Sequence, residues 1–178
     1  MTSPNTKVIW INGAFGAGKT TVARKFADAL PHSVIVDPED VGSTLRASLQ
    51  EVAPRRDFQE WTAWRRVTVE LILAISAEVP SSTIIAPQTI VNQRYWKEIS
   101  SGLTPMVDLL PVSLEVSHDV HRRRVEADRD EPDALQWRLH RFRDFECATW
   151  IADEFHIVDN DSYDIDVAVR HLKSLVSG

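Results

Sequence analysis

Lys7 to Thr20 read KVIWINGAFGAGKT. The first half is a short apolar run, which suits a strand buried on both faces. Within the second half, Gly13, Gly18, Lys19 and Thr20 satisfy G-x-x-x-x-G-K-[ST]. Glycines let the backbone turn sharply, so that successive N–H groups point inward at phosphate oxygens. The sequence after the loop, KTTVARKFADALP, carries Val22, Ala23, Phe26 and Leu30 at helical spacing and stops at Pro31. A helix starting near Gly18 adds its positive end to the cradle. The stretch therefore predicts a phosphate-binding loop between a buried strand and a helix. Gly13, Ala14, Phe15, Gly16, Ala17, Gly18, Lys19, Thr20 and Thr21 are its nucleotide-binding residues. Lys19 reaches the β- and γ-phosphates, and the hydroxyl of Thr20 ligates Mg²⁺. ATP and Mg²⁺ are the expected cofactors.

Outward from the loop, short apolar runs alternate with helical patterns. Ser33 to Asp37, Ser82 to Ala86, Val112 to Ser117 and Phe155 to Asp159 read as four further strands. Helical spacing covers Phe58 to Val79 as one long helix, the stretch beginning at Asn92, and Ile165 to Val176. The alternation predicts a three-layer α/β/α fold of the P-loop NTPase type with a parallel sheet. At 178 residues the chain is read as one domain, 1–178.

Composition narrows the partners. The net charge of −6 argues against general affinity for nucleic acid or an anionic membrane. The only cysteine, Cys147, rules out an internal disulfide and is expected to be an inert, partly buried thiol. With no leader pattern and no long apolar run, a cytoplasmic monomer or homodimer is expected.

A kinase needs more than a cradle. An arginine-rich helical stretch, about 119–145 and broken near DRDEPD, has the place of a mobile lid. Its candidates for neutralising a moving phosphoryl group are Arg122, Arg124, Arg129, Arg138 and Arg141, with Arg124 and Arg129 foremost. Asp37 ends the second strand beside the loop, where a carboxylate accepts a hydroxyl proton or holds Mg²⁺ through water. The third strand ends in Pro87, Gln88 and Thr89 rather than an aspartate, which disfavours a motor or switch. It also places two uncharged polar side chains at the site edge. Trp61 and Trp64, beside Phe58 and Arg65, suit a sugar, a base or a lipid-like group, and equally suit core packing. His118 and His121 share a helix face but lack a third metal ligand.

The blocks WINGAFGAGKT, DPEDVGSTLR, DFQEWTAWR and PQTIV, in this order and spacing, resemble those of tunicamycin resistance proteins. More distantly the chain resembles chloramphenicol phosphotransferase and other small P-loop kinases. The resemblance is strong through about Trp96, weaker through the lid and modest at HIVDN, which ends at Asn160. It implies a nucleoside-kinase-like fold with strand order 2-3-1-4-5, ATP binding, and protection against a nucleoside antibiotic of uridine type. Asp37 matches the catalytic base of the chloramphenicol kinase, and Asn160 is implied at the nucleotide. Arg46, Phe58, Gln59, Trp64, Arg65 and Thr89 fall on motif positions facing the acceptor; Trp61 and Gln88 depart from the family versions. The basic amphipathic tail of some members is missing after Gly178, so no stable membrane association is expected. Phosphotransfer to the antibiotic, ATP-dependent sequestration without chemistry, and metabolic nucleoside or nucleotide phosphorylation all remain compatible with these residues.

Overall fold

The apolar runs become strands buried on two faces. The computed structural model describes residues 6–127, 135–161 and 164–177. Strand β1 (Lys7–Gly13) alternates between two cores. Val8 and Trp10 face one side of the sheet, and Ile9 and Ile11 the other, all at 0% exposure. Burying each such side chain stabilises the fold by about 1.5–3 kcal/mol. The other strands are β2 (Ser33–Ile35), β3 (Thr83–Pro87), β4 (Asp108–Glu115) and β5 (His156–Asp159). All pair in parallel, in the order β2-β3-β1-β4-β5. This is the order implied by the family resemblance.

Helices cover both faces. On one, α1 (Lys19–Asp28) and α8 (Ile165–Ser177) bury Val22, Phe26, Val169 and Leu172 against Ile9, Ile11 and Leu114. On the other, α2 (Pro38–Leu49), α3 (Thr62–Glu78) and α4 (Gln93–Leu103) close over Trp10 with Trp64, Ile72, Trp96 and Ile99. The arginine-rich stretch forms α5 (His118–Ala127) and α6 (Leu135–Glu146), followed by the short α7 (Ile151–Glu154). Arg129 and the DRDEPD break lie outside the described residues, as does the side chain of Arg138. Among the described residues no helix is long and apolar enough to cross a membrane.

Several boundaries differ from the sequence reading, each for a local reason. β2 ends at Ile35, and Asp37 caps α2 instead: its Oδ1 accepts the Glu39 N–H at 2.9 Å, with Pro38 as the first helical residue. The long helix expected from Phe58 is two pieces, a 3₁₀ turn at Phe58–Glu60 and then α3. Trp61 is extended between them (φ −72°, ψ 121°). β3 runs through Pro87 and β4 starts before Pro111. Both prolines lie where a neighbouring strand is absent, since β2 pairs only up to Ile85 and β5 joins only at Val112. Cys147 is exposed rather than partly buried.

Candidate active site

The carboxyl ends of the strands converge on one edge, the place where open α/β sheets bind ligands. Gly13 leaves β1 there, and the chain turns through Gly16 (φ 84°) and Gly18 (φ 88°) into α1. Both glycines are required by their left-handed backbone. The base of the loop is strapped from β1 and the segment after β3. Asn12 Oδ1 accepts the N–H groups of Gly13 (2.9 Å) and Ile90 (2.8 Å), while Thr89 Oγ1 donates to the Gly13 carbonyl at 2.6 Å.

Lys19 Nζ donates to the carbonyls of Gly13 and Ala14, both at 3.1 Å, and lies 5.2 Å from the centre of the Phe15 ring. Desolvation lowers its pKa from 10.5 to about 8, against the opposing pull of Glu39 and Asp37. Asp37 is shifted the other way: burial raises its carboxyl, partly offset by the Glu39 N–H. A cavity of about 500 Å³ is lined by Gly16, Gly18, Lys19, Thr20, Asp37 and Arg124, among others. The sheet edge thus brings together the loop, both predicted metal ligands and one lid arginine.

These residues fit a nucleotide triphosphate and its magnesium. The amides of Gly16, Gly18, Lys19 and Thr20 find no acceptor among the described residues, and Thr20 is exposed at the cavity wall. Unpartnered loop amides, one lysine, one hydroxyl and one carboxylate form the set of groups that such a ligand requires.

A second cavity, about 700 Å³, adjoins the first and shares Phe15 and Glu39 with it. Arg46, Phe58 and Gln59, which the resemblance turns toward the acceptor, line it. Sequence reading missed Arg56, Asp57, His140 and Asp144, which also line it, and it missed Arg141's place there. Arg141 bonds Asp57 Oδ2 at 2.9 Å and Asp144 Oδ2 at 3.2 Å, so α6 is tied to the turn before α3. The only sequence signal for Asp57 was its position as the cap of the Phe58 turn.

Other expected site residues stand elsewhere. Trp64 is fully buried and donates through Nε1 to the Pro38 carbonyl; Trp61 is buried and donates to Ala53. Both pack the core, because the extended residue at Trp61 turns α3 inward. Arg65 is buried too, bonded to Glu98 (2.5 Å) and the Gln59 carbonyl, and stacked on Tyr95. Gln88 is buried behind β1, where its carbonyl accepts from Trp10 Nε1. The Thr89 hydroxyl is committed to the loop. None of these five side chains lines the second cavity; they position the elements that do. Asn160 is also buried, and its Nδ2 donates to the Ala17 carbonyl at 2.7 Å, so it grips the loop from outside. Arg124 reaches the same carbonyl (3.4 Å) and that of Asn160 (2.7 Å). Arg122 pairs with Glu126 on an exposed face. His118 and His121 join no metal cluster: none of three or more ligands occurs among the described residues.

The model of the AAA domain matches residues 8–145, which is more than half of the chain and includes the loop, both cavities' walls and the whole arginine-rich stretch, 119–145. The chain belongs to the AAA domain family. Within this family of P-loop proteins its fold is that of small kinases. Over 96% of its length it superposes on 95% of the tunicamycin resistance protein of Deinococcus radiodurans, with a TM-score of 0.69 and 23% identity. A gluconokinase from Sinorhizobium meliloti 1021 gives 0.64 at 16% identity, covering 99% of this chain and 96% of its own. The shikimate kinase of Bacteroides thetaiotaomicron gives 0.59 at 20% identity, covering 96% and 98%. The resemblance read from the sequence thus has a structural counterpart in a kinase-like P-loop fold. No curated protein matches the sequence.

Proposed function

We propose that this AAA-domain protein is an ATP-dependent small-molecule O-phosphotransferase that modifies a nucleoside antibiotic of the tunicamycin or related uridine type. The observation that carries the reading is the pair of adjoining cavities with Asp37 on the wall of the phosphate-side one. One suits a triphosphate, and the other, with mixed charge, suits a polar acceptor. The likeness to the tunicamycin resistance protein supports the choice of acceptor.

In this reading the loop amides and Lys19 bind the β- and γ-phosphates, and Thr20 holds Mg²⁺. The metal, when bound, neutralises phosphate charge and aligns the triphosphate. Asp37 Oδ1 is already engaged by the Glu39 N–H, which leaves Oδ2 to accept the proton of the acceptor hydroxyl. Burial raises the carboxyl toward working pH and makes it a better base. Arg124 stands over the phosphate cavity from α5, where it offsets charge on the moving group.

The test is mass spectrometry of tunicamycin, related uridine antibiotics, ordinary nucleosides and sugar acids after incubation with ATP and Mg²⁺. Lys19→Ala runs beside the wild type. One antibiotic should gain a single phosphoryl group, with the variant slower by about two orders of magnitude or more. Phosphorylation confined to nucleosides or sugar acids makes the protein a metabolic kinase. Tight binding of an antibiotic that returns unmodified makes it a sequestering protein.

A further inference from the structure

His121 has no part in the phosphotransfer just described, yet it is fully buried between the loop and the lid helices. Its Nε2 lies 2.7 Å from the carbonyl oxygen of Phe15, at the tip of the phosphate loop. Its ring stacks on Phe142 of α6, with centroids 3.9 Å apart and planes 20° apart. Nδ1 is buried with no hydrogen-bond partner among the described residues. Because a carbonyl only accepts, Nε2 carries the proton and Nδ1 carries the lone pair. Burial holds the imidazole below its usual pKa. His118 and Arg124 push the same way, against the Phe15 carbonyl and Glu146, so the ring is neutral at pH 7. The contact between α5 and the loop is close: a Cβ at Gly16 would sit 2.7 Å from Val125 Cγ2.

The direction of that one bond matters. A trans peptide is planar, and its N–H points opposite to its C=O. No peptide in the described chain is cis. A Phe15 carbonyl held outward on His121 therefore turns the Gly16 N–H inward, to the cavity that Gly16 lines. The same logic holds one step along. Asn160, which does not line the cavity, holds the Ala17 carbonyl, and this turns the Gly18 N–H the opposite way, toward the cavity that Gly18 lines. These two amides have no acceptor among the described residues to hold them.

We infer that His121 is a positioning residue for phosphate binding: its Nε2–H fixes the Phe15 carbonyl outward and so aims the Gly16 amide at the triphosphate. The assignment rests on the reading of the loop as an ATP site. It also ties the lid to the loop, because the ring that makes the bond is clamped by Phe142.

The experiment compares wild type, His121→Leu and His121→Gln. Leucine fills space without a donor, and glutamine restores an N–H at similar reach. ATP affinity is measured by calorimetry with Mg²⁺, and the Gly16 amide is followed by ¹H–¹⁵N NMR through the titration. Leucine should weaken ATP binding about tenfold or more, the cost of a lost hydrogen bond to the loop and a misdirected amide. Glutamine should stay within about threefold of wild type. The Gly16 resonance should move on ATP addition in the wild type and glutamine proteins and hold still in the leucine protein. If the leucine protein does not fold, imidazole ¹⁵N shifts of the wild type decide: a proton on Nδ1 at pH 7 overturns the assignment, and one on Nε2 with glutamine rescue supports it. Leucine binding ATP like the wild type, or glutamine failing as leucine does, also overturns it. A wild type with no ATP affinity sinks the phosphate reading itself, a result separable from the others.

Discussion

The two cavities share a wall but are made differently. The proposed phosphate side is built largely from backbone, the glycine turns and helix start of the contiguous residues 13–20, with Lys19, Asp37 and Arg124 added to its wall. The acceptor side is built from side chains of α2, the turn before α3, and α6, held by the Arg141 pairs to Asp57 and Asp144. Backbone recognition of a common phosphate tolerates little change. A side-chain cage can be altered one residue at a time without harm to the loop, which is how one fold serves many acceptors.

The sharpest attack on this division is Asp37→Asn, at the point where the cavities' chemistries meet. Asparagine keeps the α2 cap and removes the carboxylate proposed as base. Phosphoryl transfer should fall by about 10²–10⁴-fold, while ATP affinity stays within about threefold. Steady-state rates and calorimetry on one preparation check both halves. Transfer at wild-type rate would remove Asp37 from the reaction.

Arg141→Ala comes next. Without the tie between α6 and Asp57, KM for the acceptor should rise about tenfold and KM for ATP should change little. A matching rise for ATP would show that the two sides are not separable as described.

The smallest effect is in pH. Lys19 in the free protein loses its charge above about pH 8, whereas in contact with phosphate it is held charged. Binding ATP above pH 8 must then take up a proton, so affinity falls as pH rises, by at most about tenfold per unit. Below pH 8 this dependence is absent. Calorimetry in buffers of different ionisation enthalpy measures the proton directly, and none taken up at pH 9 would contradict the shift.

The same division explains what could be read in advance. The loop and the strands announce themselves locally, as a spaced motif and as apolar runs such as KVIWI. The acceptor cage does not, because Arg56, Asp57, His140 and Asp144 meet only after α6 folds back over the turn at Phe58. Trp61 and Trp64 show the converse failure. An aromatic beside an arginine at a helix start reads the same whether it faces a ligand or the core, and only the extended backbone at Trp61 decides. His121 carried a weak metal signal in sequence, and its actual partner is a main-chain carbonyl 106 residues away. No side-chain pattern predicts such a bond.

Phe15 stands in both cavities, with the Lys19 ammonium 5.2 Å from its ring and the Arg141 guanidinium 6.0 Å away. A ligand that moves this ring on one side changes the wall met by a ligand on the other. The two occupancies are then thermodynamically linked. Whatever factor the acceptor imposes on ATP affinity, ATP must impose on the acceptor in equal measure. A single aromatic side chain is thereby the element through which occupancy of either cavity would be felt at the other.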